Sequence, residues 1–196
     1  MLKFYFNNGT ESKKKAVRTT IQKSARDDAR REYEQGVGNR SGSTGPTPSK
    51  TRRMDDNPFD FVTWEDCANI DFQETKVKDG SDIRITFEGT GFGSIIGTEA
   101  QDKKKYKDFS MVLAGLADKY PPSPGHRRSI LHEFGHILGL HHEHQGPAAQ
   151  RLLKLDEELV KKARGEENAQ KNILDKVKKN KELWNYTNFD RLSIMM

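Results

Sequence analysis

The stretch HEFGHILGLHHEHQGP, residues 132–147, carries five of the chain's six histidines. Around it Ile130, Phe134 and Ile137 recur at helical spacing, which predicts a helix from about His126 to Leu138. His132 and His136 are four apart, so about 400° of turn sets both imidazoles on one face. That spacing lets both reach one ion at ~2.0–2.1 Å. His142 lies beyond, where a continuous helix would aim it off that face. The chain must bend between them, and Gly139 can take the positive φ that ends helices. His132, His136 and His142 are therefore the expected metal ligands. Zinc suits three imidazoles, although spacing alone leaves cobalt and copper open. The bland reading is a polar helix end with histidines near the negative dipole terminus.

Glu133 adjoins the first ligand without needing to bind the ion. Its expected task is general base for a zinc-bound water, whose pKa a three-ligand zinc site lowers to about 7. His141 and His144 are expected to face solvent or to support the ligands.

Working outward, LKFYF at 2–6 reads as a strand ended by NNG, and Thr10 can cap a following helix bearing Val17 and Ile21. Phe61 and Trp64 fit a helix, and NIDFQE a short strand. SDIRITF at 81–87 alternates Ile83, Ile85 and Phe87 with polar residues, the pattern of a half-buried strand. SIIGT at 94–98 and FSMVLAGL are further strand candidates, and PPSPG precedes the histidine helix. Charged helices are expected near 156–163 and 167–180, with Leu152, Leu155, Leu159 and Val160 packing inward. Cys67 is the sole cysteine, which excludes an intramolecular disulfide and suggests a buried thiol.

Hydrophobic residues make up 33% of 196, and mean hydropathy is −0.92. Part of the chain should thus contribute nothing to a core. Residues 24–58, rich in Gly, Ser, Pro and charge, read as a disordered insertion, because such composition buries too little apolar surface to offset ordering entropy. No run approaches the ~20 apolar residues of a membrane span, and MLKFYFNNGT contains no secretory signal. The net charge of +5 comes from residues 13–53, where twelve Lys/Arg face four Asp/Glu. The remainder, 22 basic against 25 acidic, is slightly negative. That segment lacks interleaved aromatics, so nucleic-acid binding is not expected.

The pattern His132-Glu133-x-x-His136-x-x-Gly139-x-x-His142, with Ser193-Ile194-Met195 downstream, resembles the metzincin zinc metallopeptidases of the astacin-like kind. HEHQGP after the third histidine and TNFDRLSIM near the end are similar to a secreted microbial and fungal group. KFYF, WEDCANIDF and SDIRITFEGTGFGSIIGT resemble that group's opening elements, so the likeness spans nearly the whole chain except residues 24–58. The resemblance implies an α+β, zincin/metzincin-like fold. It would have a twisted mixed sheet, an active-site helix and a short, mostly irregular or helical lower subdomain. One catalytic domain would fill residues 1–196, with an upper subdomain at 1–139 and a lower one at 140–196.

It further implies one Zn²⁺, Met195 as an apolar floor beneath the imidazoles, and Ser94, Ile95, Ile96 and Gly97 as the edge strand that pairs with substrate. In astacins the counterpart of Glu143 meets the mature N-terminus; a surface salt bridge is the expectation here. The implied activity is hydrolysis of internal peptide bonds by a secreted, monomeric metalloendopeptidase with protein and peptide substrates and no membrane partner. The alternative is a zinc-binding but inactive peptide-binding domain. A tyrosine two residues after the methionine completes the family pattern; that position would be 197, so the lower subdomain reads as C-terminally truncated.

Overall fold

The LKFYF segment forms strand β1 (Leu2–Phe6), with Phe4 and Phe6 buried and their rings edge-to-face at 5.4 Å. Gly9 turns the chain at φ +98°, and a Cβ there would strike the Phe87 ring. Thr10 then caps helix α1 (Glu11–Ile21), its Oγ1 accepting from the Lys13 N–H at 3.3 Å. The helix buries Ala16, Val17, Thr20 and Ile21. The computed structural model describes residues 1–38, 57–174 and 187–196, in two compact units, Met1–Leu138 and Gly139–Met196.

The expected disorder of 24–58 is corrected where the chain is described: residues 24–38 belong to helix α2 (Lys23–Gly38). Residues 39–56 lie outside the described residues. Polar anchors order this helix where an apolar stripe would otherwise be needed. Arg26, nearly buried, donates to the Phe61 carbonyl at 2.8 Å and to the Asp66 carboxylate. Asp66 also accepts from the Thr63 N–H and hydroxyl at 2.8 and 2.9 Å, at the start of helix α3 (Trp64–Cys67). Burial pushes the Asp66 pKa upward, but the Arg26 and Thr63 hydrogen bonds outweigh it and hold the carboxyl well below the usual range. Glu65 accepts from the Lys23 and Phe72 N–H groups, each at 2.7 Å. Buried Ala29 and Phe59 add apolar contact.

Strands β2 (Phe72–Glu74), β3 (Ile83–Thr86), β4 (Phe92–Ser94) and β5 (Met111–Leu113) complete one sheet, ordered β2-β1-β3-β5-β4. β1 runs parallel to β2 and β3, and β3 parallel to β5; Phe4 pairs with Ile83 and Ile85 with Met111. Parallel neighbours need long crossovers, which α1, α2 and α3 supply between β1 and β2. β4 lies antiparallel to β5 at the edge, Ser94 opposite Met111.

β3 departs from the half-buried strand its alternation predicts, because all four of its residues are buried. A central strand of a parallel sheet is covered on both faces. Arg84, 1% exposed, donates from Nη2 to the Ala100 and Tyr106 carbonyls at 2.8 and 3.1 Å. From Nη1 it reaches the Ser81 and Asp82 carbonyls at 3.4 and 3.5 Å. Burial lowers its pKa, opposed by the charge of Asp82. The exposed Cys67 corrects the expectation of a buried thiol.

Helix α4 (Pro124–Ile137) opens with the Ser123 Oγ accepting from the His126 N–H at 3.2 Å and Pro124 in its first turn. Ile130, Phe134 and Ile137 are buried, Phe134 meeting Phe72 edge-on at 5.1 Å. The Trp64 indole donates to the Leu131 carbonyl at 2.8 Å. Gly139 takes φ +94° beyond the helix end.

In the second unit, helices α5 (Ala149–Leu152), α6 (Glu157–Arg164) and α7 (Glu166–Ala169) are short, and a wide turn spans Gln170–Leu174. The expected helix at 167–180 is described only to 174; its remainder lies outside the described residues. Leu152, Leu155 and Leu159 are exposed rather than packed inward, α6 buries no residue, and Val160 is half-buried. No described helix is long and apolar enough to cross a membrane.

Candidate metal centre

Helix α4 presents His132 and His136 one turn apart, their ring centroids 4.7 Å from each other and nearly perpendicular. Gly139 redirects the chain, and one ring nitrogen from each of His132, His136 and His142 lies within 4.8 Å of the other two. Two nitrogens bound to one tetrahedral ion at ~2.1 Å are roughly 3.4 Å apart. Small ring rotations therefore bring this set onto a single cation, and three neutral imidazoles are a fitting donor set for a borderline-soft divalent metal. The three histidines can hold a metal.

His142 starts a 3₁₀ turn (Glu143–Gln145), and its Nδ1 lies 3.2 Å from the Gln145 Oε1. Gln145 is itself buried, and its carbonyl accepts from the Gln150 side chain at 2.9 Å. Sequence reading missed Gln145, although a residue three positions after a ligand in a tight turn is placed to meet it. The His144 ring stacks on His142 at 5.4 Å, and its Nε2 lies 2.9 Å from the Asn172 carbonyl. Burial lowers the pKa of His141.

Glu143 forms a main-chain tether where a surface salt bridge was expected. Its N–H donates to the Met195 carbonyl at 2.9 Å, and its Oε1 accepts from the Asp190 N–H at 3.1 Å. The SIM segment closes on itself, the Met195 N–H donating to the Ser193 Oγ at 3.1 Å. Met195 is buried.

Glu133 is buried on α4, and its Oε2 accepts from the Ser94 hydroxyl at 2.8 Å. Burial raises its pKa, partly offset by the Ser94 hydrogen bond and the charge of His132. The same hydroxyl lies 2.8 Å from the Glu133 carbonyl. Of the residues expected in the edge strand, Ser94 ends β4, and the Ile95 N–H still donates to the Ser110 carbonyl at 2.9 Å. Ile96 and Gly97 fall outside the strand, because Gly97 turns at φ +60° into a 3₁₀ segment (Gly97–Gln101). In an antiparallel pair successive residues face alternate sides. With Ile95 bonded toward β5, the Ser94 N–H and C=O point to the sheet's free edge.

No protein-family model matches the chain, and no curated protein does. Two solved structures of myroilysin are similar. One has a TM-score of 0.63 at 21% identity, covering 99% of this chain and 75% of that one. The other has a TM-score of 0.56 at 19% identity, covering 100% of this chain and 68% of that one. The chain thus has an α+β fold, a five-stranded mixed sheet with several helices, similar to that of myroilysin.

Proposed function

We propose that the chain is a zinc metalloendopeptidase of the metzincin group, astacin-like in its site, that hydrolyses internal peptide bonds. The observation that carries this reading is the convergence of His132, His136 and His142, with a buried carboxylate next to the first of them. Zinc held by those imidazoles would supply a Lewis acid that polarises the scissile carbonyl and acidifies water.

The remaining work falls to the chain's own residues. Glu133 accepts the proton of the attacking water at its carboxylate and returns it to the departing amine nitrogen. Gln145 holds the His142 Nδ1, so Nε2 would be the nitrogen that meets an ion. The free edge of β4 offers the Ser94 N–H and C=O to an extended polypeptide, which can pair there with little demand on its sequence. Met195 is assigned as the apolar floor of the site. Secretion and action as a monomer on protein and peptide substrates complete the proposal and rest on the astacin-like motif alone.

A quenched-fluorescence peptide assay with and without chelator tests it. Cleavage should vanish with chelation and return with Zn²⁺. Glu133→Gln should lower kcat at least ~10³-fold, within the range for loss of a general base, while retaining one metal per chain. A wild-type protein that takes up metal and binds peptide without cleaving it identifies the inactive peptide-binding domain instead.

A further inference from the structure

We infer that Ser94 is a positioning residue that links substrate pairing on β4 to the orientation of the general base Glu133; the inference rests on the endopeptidase reading above. Two properties of one residue carry it. Its hydroxyl lies 2.8 Å from the Glu133 Oε2 and 2.8 Å from the Glu133 carbonyl. Its main chain, by the alternation that bonds Ile95 to Ser110, faces the free edge of the sheet.

The hydroxyl has one proton, and a carboxylate oxygen is a stronger acceptor than a peptide carbonyl when it serves as a base. Donation to Oε2 fixes the rotation of the carboxylate and leaves Oε1 as the oxygen that receives the proton from water. Without this partner the carboxylate would have no described hydrogen bond to set its rotation. The position of Ser94 is itself secured, because β4 pairs with β5 through Ser94 and Met111, and the next N–H is bonded to Ser110. An extended peptide pairing with the outer edge therefore docks on the same residue that aims the base. Binding in register and alignment of the proton acceptor become one event.

The test compares Ser94→Ala and Ser94→Thr with the wild type on a quenched peptide, at saturating Zn²⁺. Loss of a hydrogen bond to a charged group predicts a kcat about 10- to 100-fold lower in Ser94→Ala. KM should stay within about twofold, since the main-chain edge remains. Ser94→Thr, which keeps the hydroxyl, should recover most of kcat. A Ser94→Ala enzyme with unchanged kcat, or one whose whole loss lies in KM, overturns the assignment.

A second readout is independent of turnover. In a urea-denaturation cycle with Glu133→Ala, the double variant should unfold near the midpoint of the Glu133→Ala single variant. Strict additivity of the two single shifts overturns the bond itself. An inactive wild type whose cycle still shows coupling would count against the endopeptidase reading alone, and the Ser94–Glu133 link would stand.

Discussion

The two units hold their chemistry-bearing side chains by different means. In Met1–Leu138, His132, Glu133 and His136 sit on a helix seated by Ile130 and Phe134, both fully buried. In Gly139–Met196 the described buried side chains are few, and His142 is set by polar tethers: Gln145 on its ring, and Glu143 reaching Met195 and Asp190. Apolar seating spreads its energy over many contacts and fails only with the fold. A tether fails bond by bond, so one candidate ligand can loosen while the chain stays folded.

Phe134→Ala should break the first arrangement outright. Truncating a fully buried phenylalanine costs about 3–5 kcal/mol, read as a lower urea midpoint, and the His132–His136 pair should lose its alignment with it. A loss under about 1 kcal/mol would mean that α4 is not held by its apolar face.

The clasp of Arg26 on Asp66 is a polar device within the largely apolar first unit. Asp66→Asn should cost about 1.5–3 kcal/mol, the range for hydrogen bonds to charged groups. An unfolded aspartate has a pKa of about 3.9, and Asp66 in the fold lies well below it. The folded state thus binds fewer protons than the unfolded state. Its contribution is full above about pH 5 and is lost as pH falls below 4 toward the folded value. Stability measured from pH 6 down to 3 should fall less steeply in Asp66→Asn; identical acid limbs would remove this role.

Gln145→Ala sharpens the contrast from the other side. Losing a partner of an imidazole proposed to bind metal should weaken metal affinity about 10- to 100-fold while the urea midpoint moves little. A destabilisation matching that of Phe134→Ala would erase the distinction between the units. The smallest effect belongs to α6: Leu159→Lys, at an exposed position, should leave stability within about 0.5 kcal/mol.

What was legible in the sequence was local. β1, the Thr10 cap, the apolar face of α4 and the bend at Gly139 each follow from a few adjacent residues, and each is present. The histidine cluster followed from spacing plus that one glycine. What was hidden depends on partners far along the chain. Nothing near SARDDARREYEQ announces that Arg26 will meet Asp66, so a helix read as solvated, low-complexity sequence. The SIIGT pattern favoured a strand two residues too late, because the turn at Gly97 prevailed over the β-branched pair before it. Alternation in SDIRITF could not reveal that the polar face of β3 would be covered as well. The His142–Gln145 bond had a spacing signal that was overlooked, whereas the Ser94–Glu133 bond, across 39 residues, had none.

Arg84 carries a consequence for cooperativity. A guanidinium in the middle of a sheet is tolerable only when acceptors surround it, and its acceptors come from residues 81 and 82 on one side of β3 and from 100 and 106 beyond β4. Strand β3 therefore gains nothing from burying that face until the following loop has arrived. The central strand and a loop some twenty residues away are thus tied to fold together, and a cation, besides the apolar contact at Ala100, joins them into one unfolding unit.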